Sequence, residues 1–402
     1  MNETNTQKLW NANYNKVMLI NFTLFFSFYL ITPLLPIYLS ETFHSSKDVI
    51  GFVLSSYSVV ALLMRPFSGF MVDGFQRKTV LTICLLINFL FFGGYLAGAS
   101  LLSFAILRTL HGGPFGAATV ANSTMAIDVL PPSRRNEGIG YYGLSNNIAS
   151  AIAPMAGLYI YHCTSNFQLI FWIAFIVASA GLFLARTIHT APRVIDRTSR
   201  KISFDRFFLL RGWFLALNIL FFGLCWGILS SYIAIYGKEH LGITSGTGTF
   251  FLILSAGLML SRLQGAKSLR KGLLLPNAME GVILSTIGYT LFIAYPSTIG
   301  YYTSALLIGL GNGHMWPAFQ NMIIGVAHHN ERGTANSTIL TAWDLGMGGG
   351  VLAGGVIAEH FGYDTTFWTM AAIHIVGLAI FLTVTRPNYI KLKAANQQQT
   401  AD

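Results

Sequence analysis

The feature that most constrains this chain is its division into twelve apolar runs separated by short polar breaks. They begin near Val17, Val49, Thr79, Leu101, Gly138, Gln168, Gly212, Gly246, Leu273, Gly300, Thr334 and Thr365. An apolar run needs about 20 residues to cross the hydrocarbon core of a bilayer as a helix. Only 10% of the residues are charged, against about a quarter in a soluble domain. A soluble protein with buried core helices would show one polar face on most helices, and these runs have almost none. The breaks leave no room for a soluble domain. The expected class is an all-α membrane protein with twelve transmembrane helices.

The bases orient it. Lys and Arg concentrate in cytoplasmic loops, and an even number of spans puts both ends of the chain on one side. With the N-terminus inside, only Lys47 and Lys238 of the 25 Lys and Arg fall outside, and Arg108 lies within a run. The net charge of +10 is therefore a topology signal and gives no warrant for a nucleic-acid partner. Residues 1–16 are polar and the first run is too long for a signal-peptide core, so it is expected to stay as the first span. Cys84, Cys163 and Cys225 are scattered and odd in number, which supports neither a disulfide framework nor a zinc site.

The one long polar connection, about His189 to Arg211, divides the spans six and six. The expected division is an N-terminal bundle at 1–188, a linker at 189–211, a C-terminal bundle at 212–386 and a tail at 387–402. The halves align in several places: Arg65 with Arg262, Gly112 with Gly311, Asn122 with Asn321, Arg135 with Arg332 and Asn147 with Asp344. Parallel six-helix repeats describe one transporter architecture, with its substrate site between the halves.

Between the second and third runs stands the strip from Arg65 to Lys78, with Gly69, Asp73 and Arg77 at four-residue spacing. Arg262 to Lys271 forms a second strip, which keeps bases and lacks the acid. The first resembles the loop signature of the major facilitator superfamily, over nearly the whole chain. Arg108 and Gly112 in the fourth run resemble a second family signature. Ala149, Ala153, Pro154 and Gly157 in the fifth resemble a third, associated with exporters. Thr32, Pro33 and Pro36, with Arg65 and Pro66, are similar to bacterial members of the efflux group. Gln76, Ala149 and Ala153 stand where those signatures carry glycine. The resemblance implies two pseudo-symmetric six-helix bundles, a monomer, and a gate in which Asp73 meets the chain near Gly333 and Thr334.

Charge inside the apolar runs marks candidates for chemistry. Only Asp344 and Glu280 among the 15 acids lie well within them, and an intramembrane ionisable group is a functional hypothesis by default. Asp344 suits proton binding or substrate binding, with a structural acid as the alternative. Its repeat partner Asn147 is the neutral isostere. Arg108, the one base within a run, either binds a substrate carboxylate, biases a nearby acid during proton release, or bonds backbone carbonyls; the family resemblance implies a role in proton coupling, together with Asp344. Tyr29, His111, Asn122, Asn147, Trp226, Tyr232, Asn312, His314, Trp316 and Asp344 are candidates for a substrate cavity. For the glycine-rich stretches, helix packing is the competing explanation. Glu280 and His374 are expected near an interface, snorkelling or paired.

The sequence carries no nucleotide loop, metal cluster or nucleophile constellation. No cofactor is expected, an enzyme is not, and an ion gradient remains as the energy source. The reading is a secondary active transporter in a bacterial cytoplasmic membrane, exporting a small organic molecule against protons by alternating access. The alternatives are a nutrient importer on the same scaffold and, further off, a multipass membrane enzyme or a non-transporting sensor.

Overall fold

The computed structural model describes residues 8–45, 47–98, 100–190, 207–243 and 247–398. The expected linker falls largely on residues 191–206, outside the described residues. Among those described, the secondary structure is helical throughout. The first span is α1 (Ala12–Ile31) followed by α2 (Leu35–Phe43) after the break at Thr32 and Pro33. The second to sixth spans are α3 (Lys47–Gly74), α4 (Arg77–Ala97), α5 (Leu101–Val129), α6 (Arg135–Thr164) and α7 (Phe167–Arg186). The seventh to tenth are α8 (Trp213–Leu241), α9 (Thr247–Arg270), α10 (Leu274–Ala294) and α11 (Thr298–Val326).

α12 (Arg332–Ile380) holds the eleventh span and most of the twelfth, parted at Gly362, whose φ of 81° and ψ of 168° break the helix. A π turn (Phe381–Thr385) then leads into α13 (Arg386–Gln398). These are the twelve helices expected. By length and apolarity alone α5, α6 and α11 would be missed as spans. They are rich in Gly, Ser and Asn, and α5 and α11 bury most of their residues against neighbouring helices. Many of their polar side chains face protein, so the bilayer does not demand apolar side chains there.

The helix bounds make the internal repeat explicit. α4 and α10 are both 21 residues long, and α5 and α11 both 29. Each pair starts 197 positions apart, and so do the starts of α6 at Arg135 and α12 at Arg332. The caps repeat as well. Ser100 accepts from the N–H of Ser103 to start α5, and Ser297 accepts from that of Gly300 to start α11, each satisfying one orphan donor of a first turn.

The described residues form two compact units. One takes the chain up to Gly138, Tyr142–Phe208 and Asn330–Ser337; the other takes Ile139–Tyr141, Leu209–His329 and the chain from Thr338. In the first, α3 packs along α5 so tightly that a Cβ on Gly112 would lie 2.1 Å from the Tyr57 carbonyl oxygen. In the second, α9 packs along α11 and a Cβ on Gly309 would lie 2.0 Å from the Leu254 carbonyl oxygen. The structural counterpart of Gly112 is thus Gly309, two positions before the Gly311 expected from the sequence. Helix-on-helix contact fixes this register, and a glycine-rich stretch offers several similar alignments.

The first unit is cored by residues such as Leu30, Leu39, Phe92, Tyr95, Phe104 and Phe171. The second is cored by Leu229, Tyr236, Phe250, Phe292, Tyr301 and Phe367.

Candidate functional site

The signature strip lies at the end of α3 and the start of α4, and in the first unit it meets the first turn of α12. Asp73 Oδ1 accepts from the N–H of Gly333 at 2.9 Å, and Oδ2 from the N–H of Thr334 at 2.7 Å and its hydroxyl at 3.0 Å. The first N–H groups of a helix have no intrahelical acceptor and carry the positive end of its dipole, so a carboxylate there is doubly favoured. The contact implied by the family resemblance is present in the geometry.

Close backbone approach makes it possible. A Cβ on Gly69 would lie 2.7 Å from Ser337 Cβ and 2.9 Å from Thr334 Cα, and one on Gly333 would lie 2.8 Å from the Gly69 carbonyl oxygen. Two facing glycines let α3 and α12 meet backbone to backbone. One turn deeper, the Ser337 hydroxyl donates to the Arg65 carbonyl, and the Asn336 amide to Thr124 Oγ1 at 3.0 Å. Arg65 itself is buried and donates to Thr119 Oγ1 at 3.1 Å.

Arg77 ties this contact to α5. It reaches Asp73 Oδ1 at 3.1 Å and Asp128 at 2.6 Å, and Arg332 reaches the same Asp128 at 3.3 Å. Lys78 donates to the Arg186 carbonyl at 2.9 Å. Asp128 was not singled out in the sequence. It sits at the end of the fourth run, where an acid looks like an ordinary loop charge. Its one signal was standing near Arg135 in a segment otherwise short of acids.

A second polar centre of the first unit surrounds Arg108 on α5, which is 2% exposed. Its guanidinium carbon lies 4.0 Å from the centre of the Tyr57 ring and 5.6 Å from that of Phe28. The Tyr95 hydroxyl is 2.7 Å from His111 Nδ1, and His111 Nε2 is 2.8 Å from Asn88 Oδ1. An amide oxygen only accepts, so Nε2 carries the imidazole proton and Nδ1 takes the Tyr95 O–H. The chain Tyr95, His111, Asn88 thus runs donor to acceptor throughout. His111, a cavity candidate in the sequence, is fully buried and faces α4.

Other candidates join helices. Asn122 donates to the Val17 carbonyl at 3.2 Å and the Tyr142 hydroxyl at 2.9 Å, binding α5 to α1 and α6. Gly157, one turn after Pro154 on α6, would place a Cβ 2.3 Å from the Leu30 carbonyl oxygen, so it permits close crossing with α1. Asn147 is half-buried on α6, its amide nitrogen without a hydrogen-bond partner. Tyr29 stacks on Phe25 in the aromatic cluster beside Arg108.

In the second unit, Trp343 gathers two of the candidates, Trp226 at 6.1 Å and Trp316 at 5.1 Å between ring centres. Asp344 follows it on α12, half-buried. Tyr232 donates to the Val351 carbonyl at 2.6 Å. Asn312 meets Ser285 and Tyr289 of α10. His314 Nδ1 pairs with Asn277 Oδ1 at 3.0 Å, while Nε2 lies 3.9 Å from Glu280.

His374 is fully buried, stacked on Phe222, with Thr286 Oγ1 at 2.9 Å. That differs from the interfacial place expected for it, because α8 supplies a ring and α10 a hydroxyl to receive it. Arg262, in the second strip, donates to the Gly140 carbonyl of α6 at 2.9 Å.

The sequence matches the profile of the Major Facilitator Superfamily over residues 17–348 and again over 278–401. The chain belongs to this superfamily. Among its relatives is the staphylopine export protein of Staphylococcus aureus, 22% identical, the match covering 83% of this chain and 86% of that protein. Multidrug resistance protein 1 of Bacillus subtilis is also 22% identical, over 93% of this chain and 97% of its own. A bacterial homologue of the iron transporter ferroportin, solved in an outward-facing state, superposes with a TM-score of 0.77 at 14% identity. That match covers 96% of this chain and all of the other, and it shows a shared fold. This superfamily member is therefore a multi-pass membrane protein and a transporter, with a small molecule as its cargo.

Proposed function

We propose that the protein is a secondary active exporter of small organic molecules, driven by protons and working by alternating access. The observation that carries this reading is the contact of Asp73 with the first turn of α12. It is a bond between helices of different sequence halves made by one carboxylate and two backbone donors, so it can open and re-form without repacking a core. The bases clustered around it, Arg77, Lys78, Arg134, Arg135 and Arg332, favour the cytoplasmic face for this gate, with both chain termini on that side. The export direction is supported by the names of the two relatives, one for staphylopine export and the other for multidrug resistance.

Asp344 is the proton-binding group in this reading. An ionisable group within an apolar span is a functional hypothesis by default, and gain or loss of its charge can bias one conformation. The protein acts as a monomer in a bacterial cytoplasmic membrane, and Pro154 and Gly157 let α6 lie close on α1.

Inverted membrane vesicles test the coupling without an imposed gradient. Ethidium and related efflux dyes are added outside, and lumenal pH is followed with a trapped indicator. Antiport raises lumenal pH as dye enters, and Asp344→Asn abolishes the rise. A fall in pH identifies a symporting importer. Dye entry with no pH change in either protein removes proton coupling.

A further inference from the structure

Three bases converge on one helix end in the first unit. Lys16 of α1 donates through Nζ to the Thr187 carbonyl at 2.6 Å, and Lys78 of α4 donates to the Arg186 carbonyl at 2.9 Å. Both carbonyls stand at the end of α7, whose last residue, Arg186, adds a third cation with an exposed side chain. Asn13 fastens the same corner. Its amide donates to the His189 carbonyl at 2.7 Å, and its oxygen accepts from the His189 N–H at 3.2 Å. α7 packs against both α1 and α4, so the two lysines reach its end from two different helices.

The last carbonyls of a helix attract cations, but one base would meet that demand. The bias of Lys and Arg towards the cytoplasm puts bases on one face without gathering them on one turn. No anion of the chain balances these three. α1, α4 and α7 contain no acid, and among the described residues no carboxylate pairs with Lys16, Lys78 or Arg186. Asp73 and Asp128, the acids on the neighbouring helix ends, are taken by the α12 amides, Arg77 and Arg332. An ammonium carries three donors, and each lysine gives one to α7.

The surface beside the cations is apolar and open. Phe183 of α7, one turn from Arg186, is 67% exposed. Leu19 of α1, one turn from Lys16, is exposed, and so are Ile83 and Ile87 of α4 beyond Lys78. Positive charge therefore caps an apolar wall of membrane-spanning helices, which is the charge and polarity pattern of an anionic phospholipid in reverse.

We propose that the joined ends of α1, α4 and α7 are a headgroup site for a phospholipid with two phosphates, of the cardiolipin type. Lys16 and Lys78 each take one phosphate, Arg186 adds its guanidinium fork, which suits phosphate oxygens, and the acyl chains lie along α4 and α7. Basic pockets between transmembrane helices are a recurring seat for such headgroups. The orientation given above puts this lipid in the inner leaflet. The site depends neither on the cargo nor on the coupling ion.

The test is native mass spectrometry of the full-length protein in detergent, with tetraoleoyl cardiolipin, dioleoyl phosphatidylglycerol and dioleoyl phosphatidylcholine as probes. Cardiolipin should bind at least tenfold more tightly than phosphatidylcholine and several-fold more tightly than phosphatidylglycerol. The triple variant Lys16→Gln, Lys78→Gln, Arg186→Gln should lose that preference. Arg186→Gln alone breaks no bond within the protein and should still weaken cardiolipin several-fold. Lys16→Arg with Lys78→Arg, which keeps the charge, should retain the preference. So should Lys391→Gln with Lys393→Gln, which removes two exposed bases of α13. Equal binding of the three lipids to the unaltered protein overturns the proposal, as does a preference that survives the triple variant. An equal loss from the α13 variant means that surface charge in general attracts the lipid, and the site falls. Displacement of cardiolipin by inorganic pyrophosphate assigns the bases to a soluble phosphate and overturns the lipid.

Discussion

The carboxylate of Asp73 holds the amide N–H of Thr334 at 2.7 Å across 261 residues of sequence. It takes the Gly333 amide with its other oxygen, so one side chain replaces the missing acceptors of a helix start. Asp73→Asn keeps a single acceptor oxygen, turns a donor toward one of the two amides, and removes the charge beside Arg77. Hydrogen bonds to charged groups contribute about 1.5–3 kcal/mol each, and the site is largely buried, so salt screens it little. The expected outcome is a lower melting temperature and loss of transport, insensitive to salt. Asp73→Glu should not restore either, because the added methylene pushes the carboxylate past the two amides.

Gly69→Ala tests the backbone approach that permits this bond. The new methyl would sit 2.7 Å from Ser337 Cβ and 2.9 Å from Thr334 Cα, and the backbone cannot yield as a flexible side chain would. Overpacking of this kind costs about 1–3 kcal/mol, and here it separates α3 from α12. Gly74→Ala, one turn on, meets nothing within 4 Å and should leave melting and transport unchanged. If both alanines behave alike in thermal unfolding, the close approach is not what matters.

The twelve spans, the repeat and the signature strip were legible because each is written in one dimension. Apolar length, the recurrence of Arg65 in Arg262, and the spacing of Gly69, Asp73 and Arg77 need no knowledge of how a helix is turned. The facing of individual side chains was not legible. A helix that is apolar around its whole circumference has no polar face to set its rotation. Nothing in the sequence says that His111 looks toward Asn88, His314 toward Asn277, or His374 toward Thr286. The same ambiguity hid Asp128, whose importance comes from two bases that reach it from α4 and α12.

Asp128 serves two cations at once, Arg77 at 2.6 Å and Arg332 at 3.3 Å. Those arginines are only 4% and 13% exposed. Asp128→Asn therefore leaves two crowded cations without their shared anion, and Arg332→Gln leaves one anion still bound by Arg77. Removing one partner of a buried pair costs about 3–5 kcal/mol, and the 22% exposure of Asp128 lowers that figure here. Asp128→Asn should destabilise more than Arg332→Gln in urea unfolding. The double variant should lose less than the sum of the two, since the groups share one network.

The second strip makes its bond without an acid. Arg262, 5% exposed, donates to the Gly140 carbonyl at 2.9 Å, where the first strip used a carboxylate and backbone amides. Neither a guanidinium nor a carbonyl titrates in the accessible range, whereas the Asp73 carboxylate does. In melting curves taken from neutral to acid pH, the Arg262 bond should therefore contribute a constant amount. Arg262→Gln should lower melting by a similar amount at every pH, about 1.5–3 kcal/mol for a hydrogen bond to a charged group. A pH-dependent loss in Arg262→Gln would mean that an acid, and not the Gly140 carbonyl, is its working partner.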